Sequence, residues 1–197
     1  MRFDLYLSFI AYACATTFMP GPNNILLLTQ AGRFGIKPLR PLLLGIWSGL
    51  LVVMLLAGSF LGVLGNYVPK IVPVFKYAGA AYILYLAWKT FRRGKIGSAG
   101  NGEDVPLTYL NGFALQFLNI KVLMLGLASY PGYFQPMGGG FVITLLFAVT
   151  MTVCCGTGNL IWTFLGSILT PVYNRYYRPV NTVMAILLIW CAYKIIS

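Results

Sequence analysis

The sequence predicts an all-α integral membrane protein of six transmembrane helices, arranged as two inverted three-helix repeats. Three observations carry that expectation: the apolar content, the placement of the charges, and a likeness between the two halves. Of the 197 residues 59% are apolar and only 9% charged, against about 25% charged in a typical soluble domain. Mean hydropathy is +0.81. A spanning helix uses about 20 apolar residues, so the supply covers about five or six spans.

Charge and composition exclude much else. Fourteen Lys and Arg outweigh three Asp and Glu, for a formal charge of +11. The cations sit in short gaps between apolar runs, where they meet anionic lipid headgroups and set orientation; no nucleic-acid partner is expected. The acids Asp4, Glu103 and Asp104 stand outside the apolar runs, and there is no His. That removes imidazole metal sites, His-based triads and paired-carboxylate chemistry within the membrane, so neither an enzyme nor a cofactor is expected. Cys14, Cys154, Cys155 and Cys191 lie in apolar runs without a CxxC pair and read as small, polarizable hydrophobes.

The spans are expected at 5–30, 41–64, 74–91, 107–129, 141–165 and 180–196. Ala13-Cys14-Ala15 is cleavage-like, but apolar character resumes after Pro22 with no soluble domain to follow, so the first span reads as a retained helix. Nine cations follow the first, third and fifth spans: Arg33, Lys37, Arg40, Lys89, Arg92, Arg93, Lys95, Arg175 and Arg178. Arg2, Lys70, Lys76 and Lys194 lie on the other side. The richer side is cytoplasmic by the positive-inside rule, which puts both termini outside. Tyr173, Tyr176 and Tyr177 suit an interfacial belt. The Gly-rich stretch within 92–106 is linker-like and divides a first repeat, 1–91, from a second, 107–197. Ala80–Lys89 and Ala185–Lys194 align at a spacing of 105, matching Ala, aromatic, Ala, aromatic and Lys. Asn23 and Asn119 lie 96 apart in the first and fourth spans. Three spans per half force opposite orientations on the two copies, the inverted-repeat plan of many secondary transporters.

The strongest local signal is Thr17-Phe18-Met19-Pro20-Gly21-Pro22-Asn23-Asn24. Pro20 and Pro22 lack N–H groups, so the carbonyls of Thr16 and Phe18 lose their helical partners. Gly21 permits a break, Pro22 suits the start of a second half-helix, and Asn23 and Asn24 can satisfy freed groups. Unpaired backbone at membrane depth survives only against protein or a water-filled cavity. Two opposed helix ends then face one point: carbonyls suit an ammonium and N–H groups a carboxylate, the two ends of a zwitterionic amino acid.

In the fourth span Thr108, Asn111, Gln116 and Asn119 spread over an arc of about 140°, either gluing helices together or lining a hydrophilic path. Lys121 is the one charge inside a span, about 20 Å from Thr108 and about 14 Å from Tyr130 along a helix. Intramembrane cations are functional candidates, and its partner must be carbonyls, water or a substrate carboxylate. On a regular helix Asn119 and Lys121 point about 200° apart, so they share a cavity only where the helix is unwound. In the fifth span Cys154-Cys155-Gly156-Thr157-Gly158-Asn159 offers close helix approach, with Thr157 and Asn159 as polar groups for the core. Gly45/Gly49 and Gly58/Gly62 read as packing spacings.

Through Pro20-Gly21-Pro22-Asn23 and Asn119-Ile120-Lys121 the chain resembles the LysE/RhtB amino-acid exporters over essentially its whole length. That family pairs a PGPN motif in its first span with an Asn-Pro-Lys motif in the corresponding span of the second half. Here Ile120 replaces the proline, so no proline forces a break in the fourth span. Ala114–Lys121 and Gly79–Tyr82 look most like the family's cysteine and O-acetylserine exporters. The resemblance implies export of small neutral amino acids from a bacterial inner membrane by proton antiport. The substrate site is therefore expected at Pro20, Gly21, Pro22, Asn23, Asn24, Gln116, Asn119, Lys121 and Asn159. With no membrane acid present, Lys121 is also the candidate proton carrier. Apolar helix faces can meet lipid or a second copy, in a homo-oligomer. Two rival readings are a transmembrane thiol–disulfide electron carrier using Cys14 with Cys154 or Cys155, and a non-transporting lipid-binding scaffold.

Overall fold

The computed structural model describes residues 3–18, 21–64, 68–92 and 106–196. Pro20 and nearly all of the linker expected at 92–106 lie outside the described residues, as do Arg2, Arg93 and Lys95. Among the described residues every regular element is a helix. In chain order these are α1 (Phe3–Phe18), α2 (Pro22–Phe34), α3 (Arg40–Leu64) and α4 (Val68–Phe91). The second half holds α5 (Tyr109–Leu118), α6 (Ile120–Ser129), α7 (Gly140–Ile168) and α8 (Thr170–Ile196). By length and composition α7 and the helical run Lys37–Gly58 can each cross a membrane, and α5 with its continuation past α6, bent by 58°, makes a third.

Several elements differ from expectation, each for a physical reason. The helix α2 runs on to Phe34, which takes Arg33 out of the expected gap and into a buried last turn over the Phe34 ring at 5.4 Å. A cation there faces the negative end of the helix dipole. The helix α4 begins ahead of the expected third span, with Pro73 inside it. The gap expected between the fifth and sixth spans is helical, because α8 starts at Thr170. It kinks at Tyr176 (φ −127°, ψ 40°). Pro179 lacks the N–H that Arg175 O would bond, which accounts for the kink. Arg175 and Arg178 thus lie on a helix, over Tyr176 at 5.3 Å and Tyr177 at 5.9 Å.

The most extensive helix pairs are α3 with α5, α4 with α8, and α2 with α7. Gly45 on α3 and Gly112 on α5 let one crossing close to backbone contact: a Cβ on Gly45 would overlap Tyr109 O, and one on Gly112 would overlap Leu42 O. Small residues allow such approach without help from the hydrophobic effect, which is absent between helices in lipid. Side chains gather in two clusters. One joins α2, the start of α3, α4, α5 and α8 through Leu26, Leu42, Ile83, Leu115 and Leu188. The other joins α1, the middle of α3, α6 and α7 through Phe9, Met54, Leu125 and Phe147. The α1/α2 and α5/α6 breaks fall where one cluster gives way to the other.

Candidate functional site

Two helix breaks, at Gly21 and at Asn119, meet at the same cavity. Gly21 is extended (φ −157°, ψ 173°), and Pro22 opens α2 at a position where a missing N–H removes nothing. The fourth span breaks too, without a proline. Asn119 is extended (φ −83°, ψ 98°), and its Oδ1 accepts the Lys121 backbone N–H at 3.1 Å, capping α6. This unwinding turns the Asn119 and Lys121 side chains to one cavity.

The two halves meet through amides. Asn23 Nδ2 donates to Gln116 Oε1 at 2.8 Å, and Gln116 Nε2 donates back to Asn23 Oδ1 at 3.3 Å. Asn119 Nδ2 also donates to Asn23 Oδ1, at 3.0 Å. Gln116 and Asn119 are buried. The Lys121 ammonium donates to Thr16 O at 2.9 Å. Thr16 O is one of the two carbonyls that lose a helical partner because Pro20 and Pro22 have no N–H. Asn24 Nδ2 donates to Thr17 O at 3.0 Å, and Asn159 Nδ2 donates to Asn24 Oδ1 at 3.0 Å. The chain Asn159–Asn24–Thr17 thereby ties α7 to the broken end of α1.

These groups surround a cavity of about 30 Å³, enough for a water or two. Across Thr16, Lys121 and Leu125 lies a wider, mainly apolar groove of about 470 Å³, reaching to Tyr12 and Met124. Thr16, Lys121 and Leu125 line both spaces, and the first two are joined by the bond at 2.9 Å. Gly21 gives the lysine stem its room: a Cβ there would sit 3.1 Å from Lys121 Cδ.

Of the expected site residues, Gly21, Pro22, Asn23, Asn24, Asn119, Lys121 and Asn159 line the cavity. Gln116 stands behind it, on Asn23. The expected polar face of the fourth span divides. Thr108 and Asn111 close the start of α5, where Asn111 Oδ1 accepts the Thr108 N–H at 2.9 Å. Only Gln116 and Asn119 join the site, because the helix begins after Thr108 and its first turn needs partners for its free N–H groups. Thr157, expected in the core, is exposed and donates to Val153 O at 2.9 Å. Sequence reasoning overlooked Thr16 and Thr17 as wall residues, and also Leu50 and Cys155. Cys155 stands four residues before Asn159, one turn away on the same helix face, which was the available signal. All four cysteines are free thiols. Among the described residues no group of His, Cys, Asp and Glu could hold a metal ion.

Comparison with known proteins places the chain. The family model of the LysE type translocator matches residues 14–197. A cysteine/O-acetylserine efflux protein of Escherichia coli O139:H28 is 33% identical over 195 residues, 97% of each chain. Proteins of the same name from Shigella flexneri serotype 5b and Shigella sonnei are 32% identical over the same share. No solved structure matches.

Proposed function

Because the chain belongs to the LysE type translocator family, we propose that it exports small neutral amino acids resembling cysteine and O-acetylserine from a bacterial cytoplasm. As a translocator it is a transporter and not an enzyme. The observation that carries the reading is the Lys121 ammonium on Thr16 O, in a cavity built from both halves. A zwitterion can replace both partners of that bond. Its carboxylate takes Lys121 and the N–H end of α2, and its ammonium takes the carbonyl end of α1. The full site is Pro20, Gly21, Pro22, Asn23, Asn24, Gln116, Asn119, Lys121 and Asn159. The names of the relatives support the substrate class.

The architecture we propose is six spans in two inverted repeats, 1–91 and 107–197, joined by a cytoplasmic linker at 92–106, in the inner membrane. The helix pairing supports it. Under a two-fold exchange of halves, α2 on α7 becomes α6 on α3, α1 on α7 becomes α5 on α3, and α4 on α8 becomes itself, and each of these pairs is in contact. Ala31, Leu39, Ala87 and Leu107, neighbours of the cation-rich segments, pack in one cluster, which supports a single cytoplasmic face touching anionic lipid.

Counterflow in proteoliposomes with a panel of labelled amino acids tests the export reading. Exchange of O-acetylserine and cysteine is expected; a flat panel rejects it. For coupling we propose proton antiport with Lys121 as carrier. Under an imposed pH gradient Lys121→Ala should lose O-acetylserine flux, whereas full pH-driven flux in that variant would eliminate the role. Lys121→Arg, which keeps a permanent charge, should bind substrate yet lose the response to pH. Replacing all four cysteines with Ser should leave export intact, against an electron-carrier reading.

A further inference from the structure

Asn159 is 4% exposed, lines the cavity, and its Oδ1 has no hydrogen-bond partner among the described residues. A buried polar atom left in this state is costly unless something else bonds it. Which atom of this amide faces the cavity follows from its neighbours. Thr17 O is an acceptor and takes Asn24 Nδ2 at 3.0 Å. Asn24 therefore turns Oδ1 toward Asn159, which must answer with Nδ2, at 3.0 Å. Reversing either amide would set oxygen against oxygen or N–H against N–H. The relay starts from a backbone carbonyl, so the free group at its far end is always an acceptor.

A carboxylate, itself an acceptor, is turned away from this wall and toward Lys121. The zwitterion's two ends are already matched by the lysine and the carbonyl that part from each other. Asn159 Oδ1 is one acceptor more than they need, on a different helix and next to the Cys155 thiol, itself bonded to Thr17 Oγ1 at 3.6 Å. The space is small, so only a short side chain reaches it.

We infer that Asn159 Oδ1 is the side-chain specificity group of the site, accepting a hydrogen bond from a thiol or hydroxyl one atom beyond the substrate's Cβ. This rests on the export reading above and refines it: cysteine and serine carry such a donor, alanine and 2-aminobutyrate do not. The ester of O-acetylserine offers only acceptors and is expected to be a poorer substrate than either.

The test is counterflow by the full chain in proteoliposomes, under reductant, with cysteine, serine, O-acetylserine and 2-aminobutyrate, the last matching cysteine in shape. Wild type should favour cysteine and serine over 2-aminobutyrate by about tenfold or more, since rejecting the analogue spares the site an unpaired polar group. In Asn159→Leu the preference should shrink to within about twofold, because the site no longer has a buried acceptor to leave unpaired. Equal wild-type transport of 2-aminobutyrate and cysteine overturns the inference while leaving export standing. So does a preference that survives in Asn159→Leu, or a uniform loss of all four in a folded variant, the result if Asn159 took the α-ammonium. Should Asn159→Leu fail to reconstitute, the wild-type ratio decides alone. No flux of any amino acid sinks the export reading instead.

Discussion

Lys121 and Thr16 answer each other: one is a cation in a partly buried wall, the other a carbonyl whose helical donor is a proline. Their bond at 2.9 Å completes both. The orphaned carbonyl was legible, since Pro20 stands four residues after Thr16 and proline has no N–H. The pairing was not, because it depends on α6 crossing the broken end of α1, which no local pattern encodes. Leu50 was invisible for the same reason: an apolar residue of α3 becomes a wall of a polar cavity only through tertiary packing. Asn23 and Asn119, singled out by their spacing, bond directly at 3.0 Å. A double-mutant cycle of Asn23→Ala and Asn119→Ala, read from thermal unfolding in detergent, should give a favourable coupling of about 0.6–1.7 kcal/mol. Additive single effects would show that the amide pair is not coupled.

Among the elements, the first break was readable from two prolines and a glycine, while the second was not, since Ile120 stands where a proline would have announced it. The break persists because Asn119 supplies the cap itself, with Oδ1 on the Lys121 N–H at 3.1 Å. Asn competes with the helix ladder through such local bonds, a signal weaker than proline. Asn119 already has the extended backbone that a following proline imposes, and Ile120 is the first residue of α6. Ile120→Pro should therefore change stability by no more than about 1 kcal/mol, against about 3 kcal/mol for a proline inside a helix. An unfolding shift of the larger size would show that the fourth span needs an intact ladder there. The α3/α5 crossing has no such slack. Gly112→Ala puts a methyl group into Leu42 O and should destabilise by about 1–3 kcal/mol, measured by the same unfolding.

At the scale of the molecule, apolar content and charge placement were enough to read an all-helical membrane protein, and the structure adds how the helices pair. Under the proposed topology both chain ends face outward. Alkaline phosphatase fused after Ser197 should then be active and a fluorescent protein at the same point dark; the opposite pattern would invert the arrangement. Each half contributes one helix break, and the breaks close on each other through Asn23, Gln116 and Asn119. The lysine folds back on the main chain beside them, and the space that remains holds a water or two. On the proposed export reading, the narrow gap where the two breaks cross sets how easily ions leak past this chain. A cell could then hold many copies in an energised membrane at little cost to its voltage.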